Sequence, residues 1–180
     1  FLIGYEHLLR RTEGDVLQAR KLAQEAITLD PEYGAPHLLL GWTHLDDVWF
    51  QRTKSVAGSI GKAEQSAQKA INLAGRDASA HRLLSCIHLL RKQYDRAIDE
   101  SQKAVELDPN SAGATFIYGM VLQAAGHYEE AIPVLKKAIR LNPKYAVAYY
   151  ARGAAYQKKG DQVKAEADLA KAKELGYEPE

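Results

Sequence analysis

Six histidines, a single cysteine and one pair of adjacent aspartates are the residues of this chain whose types invite chemistry. His37 and His44 stand seven residues apart, and so do His81 and His88. On a helix rising about 1.5 Å per residue, that spacing spans roughly 10 Å. Two imidazoles so separated cannot share one ion, whose ligand bonds are about 2 Å long. Flat side chains filling the gaps between helices are the better reading. Asp46 and Asp47 fail as a general acid–base pair, because neighbouring helical residues point about 100° apart. Cys86 has one cation in its neighbourhood, Arg82, a turn earlier on the same helix, which is a poor setting for a reactive thiol. No nucleophile elbow, phosphate-cradling glycine loop or paired-ligand motif is present. The sequence therefore predicts a protein that is not an enzyme, with no cofactor and no metal.

Composition narrows the partners. Twenty-four basic residues oppose 23 acidic ones, a net charge of +1, and Arg10-Arg11 and Lys158-Lys159 are isolated pairs. So little basic clustering offers no electrostatic footprint for nucleic acid or anionic lipid. No apolar run is long enough to span a bilayer, so neither nucleic acid nor membrane is an expected partner. Lone Cys86 excludes an internal disulfide framework and fits a reducing compartment, hence a cytoplasmic location. The chain opens on Phe1-Leu2-Ile3-Gly4, without an initiator methionine or a signal segment, and reads as a piece of a longer protein.

Stepping along the chain, one phrase recurs. Leu29-Asp30-Pro31, Leu73-Ala74-Gly75, Leu107-Asp108-Pro109, Leu141-Asn142-Pro143 and Leu175-Gly176-Tyr177 are five helix endings. Their last residues are separated by 44, 34, 34 and 34 residues. A period held this strictly marks stacked supersecondary units. Alanines keep fixed offsets before each ending: Ala19, Ala63, Ala97, Ala131 and Ala165, then Ala26, Ala70, Ala104, Ala138 and Ala172. Small residues let one helix approach another closely. Gly119 and Gly153 hold a third such position, Ser85 replaces glycine there, and Gly41 fits it once ten inserted residues are removed.

Leu40-Gly41, Gly119, Gly126, Tyr128, Ala131, Ala138 and Pro143, followed by Gly153, Tyr156, Gly160, Ala165 and Ala172, resemble the tetratricopeptide repeat, whose period is also 34 residues. The resemblance runs along essentially the whole chain. It implies an all-α, right-handed α-solenoid of stacked helix-turn-helix repeats with about ten helices. The repeats would occupy residues 1–33, 34–77, 78–111, 112–145 and 146–180. The second would carry the ten-residue insertion near 46–59, with its first helix overrunning to about Trp49 and a surface loop using the rest. The four histidines fall where that family places Trp or Tyr.

The resemblance also implies where a partner sits. The family's groove lies three residues before the helix-packing glycine and one and four residues after it. On this sequence those positions are Leu38, Trp42 and Leu45, then Arg82, Cys86 and Leu89. The later repeats give Phe116, Met120 and Gln123, then Tyr150, Ala154 and Gln157. Family members that clamp a C-terminal carboxylate use Lys and Asn at such positions, and here only Arg82 is a candidate. An apolar, aromatic groove suits an amphipathic helix or hydrophobic strand, so the expected role is a protein–protein interaction scaffold whose partner is a protein or peptide.

Three other readings stand beside it. Trp49 and Phe50, in the insertion, are too apolar to be wholly solvated and would fold back onto the array, filling the groove from within. The layout also resembles the tails of bacterial nucleotide cyclases and related signalling proteins, which implies a regulatory or oligomerisation tail. Finally, no polar helix caps the last repeat, so a homo-oligomer through the C-terminal helix is a further expectation.

Overall fold

The computed structural model describes residues 12–75 and 77–177. Among these residues the regular structure is all helix, with no strand. The helices are α1 (Glu13–Leu29), α2 (Gly34–Trp49), α3 (Val56–Ala74), α4 (Ala78–Leu90), α5 (Tyr94–Leu107), α6 (Ala112–Ala124), α7 (Tyr128–Leu141), α8 (Ala146–Lys158) and α9 (Gln162–Glu174). The helix expected around Gly4–Leu9, the Arg10-Arg11 pair and the tail from Glu178 lie outside the described residues. The chain divides into two compact units, Phe1–Ile87 and His88–Glu180. Each is a run of the helical repeats of an α-solenoid.

In the first unit α1 starts where Thr12 caps it, its hydroxyl oxygen accepting from the Asp15 N–H at 3.2 Å. Val16, Ala19 and Ala23 form the buried stripe, and Ala19 and Ala23 pack against Leu39 and Leu40 of α2. Helix α2 in turn lies along α3. Gly41 explains their closeness: a Cβ added there would meet Leu83 Cδ2 at 2.6 Å and Ser66 Cβ at 3.2 Å. A side chain at this position would push the neighbouring helices apart.

The insertion is mostly helix, not loop. Helix α2 does run to Trp49, but α3 begins at Val56, leaving only residues 50–55 between them. Ser55 accepts from the Gly58 N–H and so caps α3. Thr53 Oγ1 fixes that cap, taking the Ser55 N–H at 3.1 Å and the Ser59 hydroxyl at 2.8 Å.

In the second unit α6 packs on α7, α8 on α9, and α6 also touches α8, so one helix pair lies on the next. Leu122, Ala131, Leu135 and Ala151 form one apolar cluster, and Ala138, Ile139 and Ala148 another. A Cβ at Gly119 would sit 2.7 Å from Leu135, and one at Gly153 would sit 3.1 Å from the Ala165 carbonyl. Turns between paired helices share one geometry. Gly126 and Gly160 have φ of +87° and +80°, and Lys92 takes φ 58° at the matching place 34 residues earlier. In each turn the next N–H reaches back to close the helix, His127 to the Leu122 carbonyl and Asp161 to that of Tyr156.

Candidate functional site

Most of the chemistry-bearing side chains among the described residues have a structural explanation. Asp46 and Asp47 part company. Asp47 takes the Arg20 guanidinium at 2.6 Å, while buried Asp46 lies 3.5 Å from Arg52. Arg20 also donates to Thr43, through Nε to its hydroxyl and Nη2 to its carbonyl, so it ties α1 to α2. His37 Nε2 donates to the Pro31 carbonyl, and His88 Nδ1 meets Gln93 Oε1 at 2.8 Å. His44 has its pKa lowered to about 4, first by burial, then by the charges of Arg20 and Lys62. Burial pushes the Cys86 thiol up to about 12 against the smaller opposing pull of Arg82, which leaves it an inert core group. Among the described residues no three His, Cys, Asp or Glu side chains gather as a metal-holding group.

The residues expected to meet a partner split by burial. In the first unit Leu38, Leu45 and Cys86 are 6%, 0% and 1% exposed, so their side chains belong to the core and offer a partner no surface. For the two leucines the reason is packing on both flanks: α2 has α1 on one side and α3 on the other, leaving a narrow outward stripe. Trp42 and Arg82 remain partly exposed, and the structure brings them together, with the guanidinium carbon 5.0 Å from the indole centroid. A cation over an indole face contributes about 0.5–2 kcal/mol. Trp42 also touches a residue of the insertion. The Trp49 ring lies 6.2 Å away, tilted by 38°, so the expected folding-back of the insertion takes place at Trp42. Phe50 is instead met by the Arg52 guanidinium at 4.7 Å.

Two polar atoms in this cluster are orphaned. Trp42 Nε1 and Arg82 Nε are shut off from solvent and make no hydrogen bond. A buried donor without an acceptor costs about 1–3 kcal/mol. Among the described residues of the first unit, the pair is therefore where groove positions, charge and an unmet hydrogen-bonding demand coincide.

In the second unit Leu89, Phe116, Met120, Gln123, Tyr150 and Ala154 are all partly buried, and Gln157 is exposed. Phe116, Met120 and Gln123 make one stripe of α6, while Ala114, Thr115, Gly119, Val121 and Leu122 are buried. Phe116 serves two masters: its ring meets Tyr145 at 5.1 Å and packs against both apolar clusters. Tyr150 is met at 4.7 Å by Tyr177, which lies beyond α9 and folds back onto it. Sequence reasoning missed Tyr145 and Tyr177. It had the signal for Trp49, seven residues after Trp42 and hence on the same side of α2.

Comparison with known families decides what the fold is. The family model described as TPR repeat matches residues 119–160, and that described as Tetratricopeptide repeat matches 146–175. This chain is built from tetratricopeptide repeats. A third model, Anaphase-promoting complex, cyclosome, subunit 3, matches residues 57–138. Among solved structures, MamA is similar to this tetratricopeptide-repeat chain at 28% identity and a TM-score of 0.68, over 92% of this chain and 91% of its own. PilF of Pseudomonas aeruginosa aligns at 19% identity and a TM-score of 0.76, over 99% of this chain and 75% of its own. YrrB, described as a TPR protein with an unusual peptide-binding site, aligns at 23% identity and a TM-score of 0.63, over 94% and 82%. The latter two share the fold alone. Comparison with curated sequences finds no match. None of the relatives named here is a nucleotide cyclase, so they add nothing to that resemblance.

Proposed function

We propose that this tetratricopeptide-repeat chain is a non-catalytic protein-interaction scaffold that holds a peptide or amphipathic helix on the outward stripes of its first helices. The observation that carries this reading is α6. It buries five residues yet leaves Phe116, Met120 and Gln123 partly at the surface, an apolar stripe ending in an amide. Stripes at this spacing accept the apolar face of a partner helix, and Met120 adapts its shape to what it meets. Tyr150, Ala154 and Gln157 continue the same character on α8, and Leu89 on α4. Trp42 and Arg82 form a separate face in the first unit. The peptide-binding description of YrrB lends support by analogy of fold.

The partner is a protein, not nucleic acid or lipid, because the charge is balanced and no helix among the described residues is long and apolar enough to cross a membrane. Free Cys86 favours a reducing, cytoplasmic setting.

The test is a quantitative capture from cell lysate with wild-type protein, Trp42→Ala and Met120→Ala, each shown folded by circular dichroism. Met120 replaces Phe116 as the probe because Phe116 also holds the core together. Loss of the same proteins from a variant supports the scaffold reading and says which unit binds them. Identical capture by all three baits overturns it. Sedimentation of the purified protein across a concentration range separates partner binding from self-association.

A further inference from the structure

Resting on that reading, we propose that Trp42 and Arg82 receive one side-chain carboxylate of the partner helix, with Trp49 as the movable cover over the site. Arg82 carries a full charge, and among the described residues it makes neither an ion pair nor a hydrogen bond. The guanidinium Nε–H and the indole Nε1–H are both buried donors lacking an acceptor. They belong to two groups in contact, at 5.0 Å from guanidinium carbon to ring centroid. Two unmet donors beside a positive charge describe the complement of a carboxylate, which offers two acceptor oxygens and a negative charge. Among the described residues no acceptor reaches either donor. Cys86, one turn along α4, is a neutral thiol held protonated by burial. The acids of α2 are engaged elsewhere, Asp47 with Arg20 and Asp46 with Arg52.

In the structure both donors are closed to solvent, so a ligand reaches them only when a neighbour moves. Trp49 is one such neighbour. It is the last residue of α2, is 37% exposed, and precedes the 50–55 connection, where Gln51 sits at φ 53°. Its ring rests 6.2 Å from that of Trp42. The carboxylate comes from a partner Glu or Asp side chain. A terminal carboxylate would call for the Lys and Asn that this face lacks.

The probe is an array of synthetic 14-residue amphipathic helices, apolar at i, i+3, i+4 and i+7, blocked at both ends, with Glu, Gln or Lys at each remaining position. Dissociation constants are measured for wild type, Arg82→Gln, Trp42→Phe and Trp49→Ala. The expected result is that the tightest peptides carry Glu at one position and weaken roughly tenfold with Gln there. Arg82→Gln erases that difference, Trp42→Phe narrows it by removing the indole N–H, and Trp49→Ala tightens binding severalfold. Peptides that bind but do not distinguish Glu from Gln, or keep the preference in Arg82→Gln, overturn the carboxylate site and leave the scaffold reading standing. A second set of the same peptides leaves the C-terminus free, and binding by that set alone also overturns it. Absence of binding by every peptide overturns both. Should Arg82→Gln fail to fold, the Trp42→Phe comparison decides alone.

Discussion

Arg152 on α8 and Asp168 on α9 face each other as a two-pronged pair, Nε to Oδ2 and Nη2 to Oδ1, each at 2.7 Å. The Asp168 side chain is only 9% exposed and that of Arg152 17%. The guanidinium also lies 5.6 Å from the Tyr149 ring centroid and 6.0 Å from that of Tyr156. The pair joins the two helices of the last repeat at the site where Gly153 lets them approach closely. The Asp168 carboxylate holds the Arg152 pKa above its usual value.

Removing one partner of such a pair leaves the other buried and uncompensated. Asp168→Asn therefore lowers stability by about 2 kcal/mol, below the 3–5 of a fully buried pair because both groups keep some contact with water. The double variant Arg152→Met, Asp168→Leu recovers much of the loss, since no charge is then stranded. Urea unfolding of the three proteins checks both statements. An Asp168→Asn protein as stable as wild type would mean the pair is merely decorative.

Glycines separate into two kinds, and one substitution tells them apart. Gly119→Ala drives a methyl to 2.7 Å from Leu135 and lowers stability by about 1–3 kcal/mol as overpacking. Gly61, inside α3, has nothing within 4 Å of an added Cβ. Gly61→Ala there gains helix propensity and raises stability by about 0.5–1 kcal/mol. Thermal melts of the two variants should move in opposite directions. A shared direction would show that packing does not distinguish them.

Much of this fold is written in small residues. Gly41, Gly119 and Gly153 could be assigned to helix contacts from their offset alone, because a missing side chain has one packing consequence wherever it falls. The turn at Gly126 and Gly160 was legible for a different reason, the ease with which glycine takes a positive φ, and Lys92 follows it at φ 58° without a glycine. Large side chains were less legible. The offsets that put Leu38 and Leu45 beside Trp42 on one face ignore the helices flanking α2 on either side, and those helices bury both. Where α3 begins depends on a hydroxyl network among Thr53, Ser55 and Ser59, short-range chemistry that no repeat period encodes. Which ring leans on which, as with Tyr145 on Phe116 and Tyr177 on Tyr150, is a choice of rotamer that spacing leaves open.

His44 gives the first unit a dependence on pH. Its folded pKa is about 4 against an ordinary 6.5, through burial first and then the charges of Arg20 and Lys62, with Asp47 opposing them. Between those values the unfolded chain binds a proton that the folded chain refuses. Stability from this group is thus complete above pH 6.5 and is lost as pH falls towards 4. The ring keeps some exposure, so solvent screening reduces the effect to about 1–2 kcal/mol. His44→Gln removes the titrating group and should flatten the stability profile across that window relative to wild type. Urea midpoints at pH 4.5, 5.5 and 7 measure it. If the two proteins lose stability in parallel as the pH falls, the imidazole is solvated and burial is not what governs its proton.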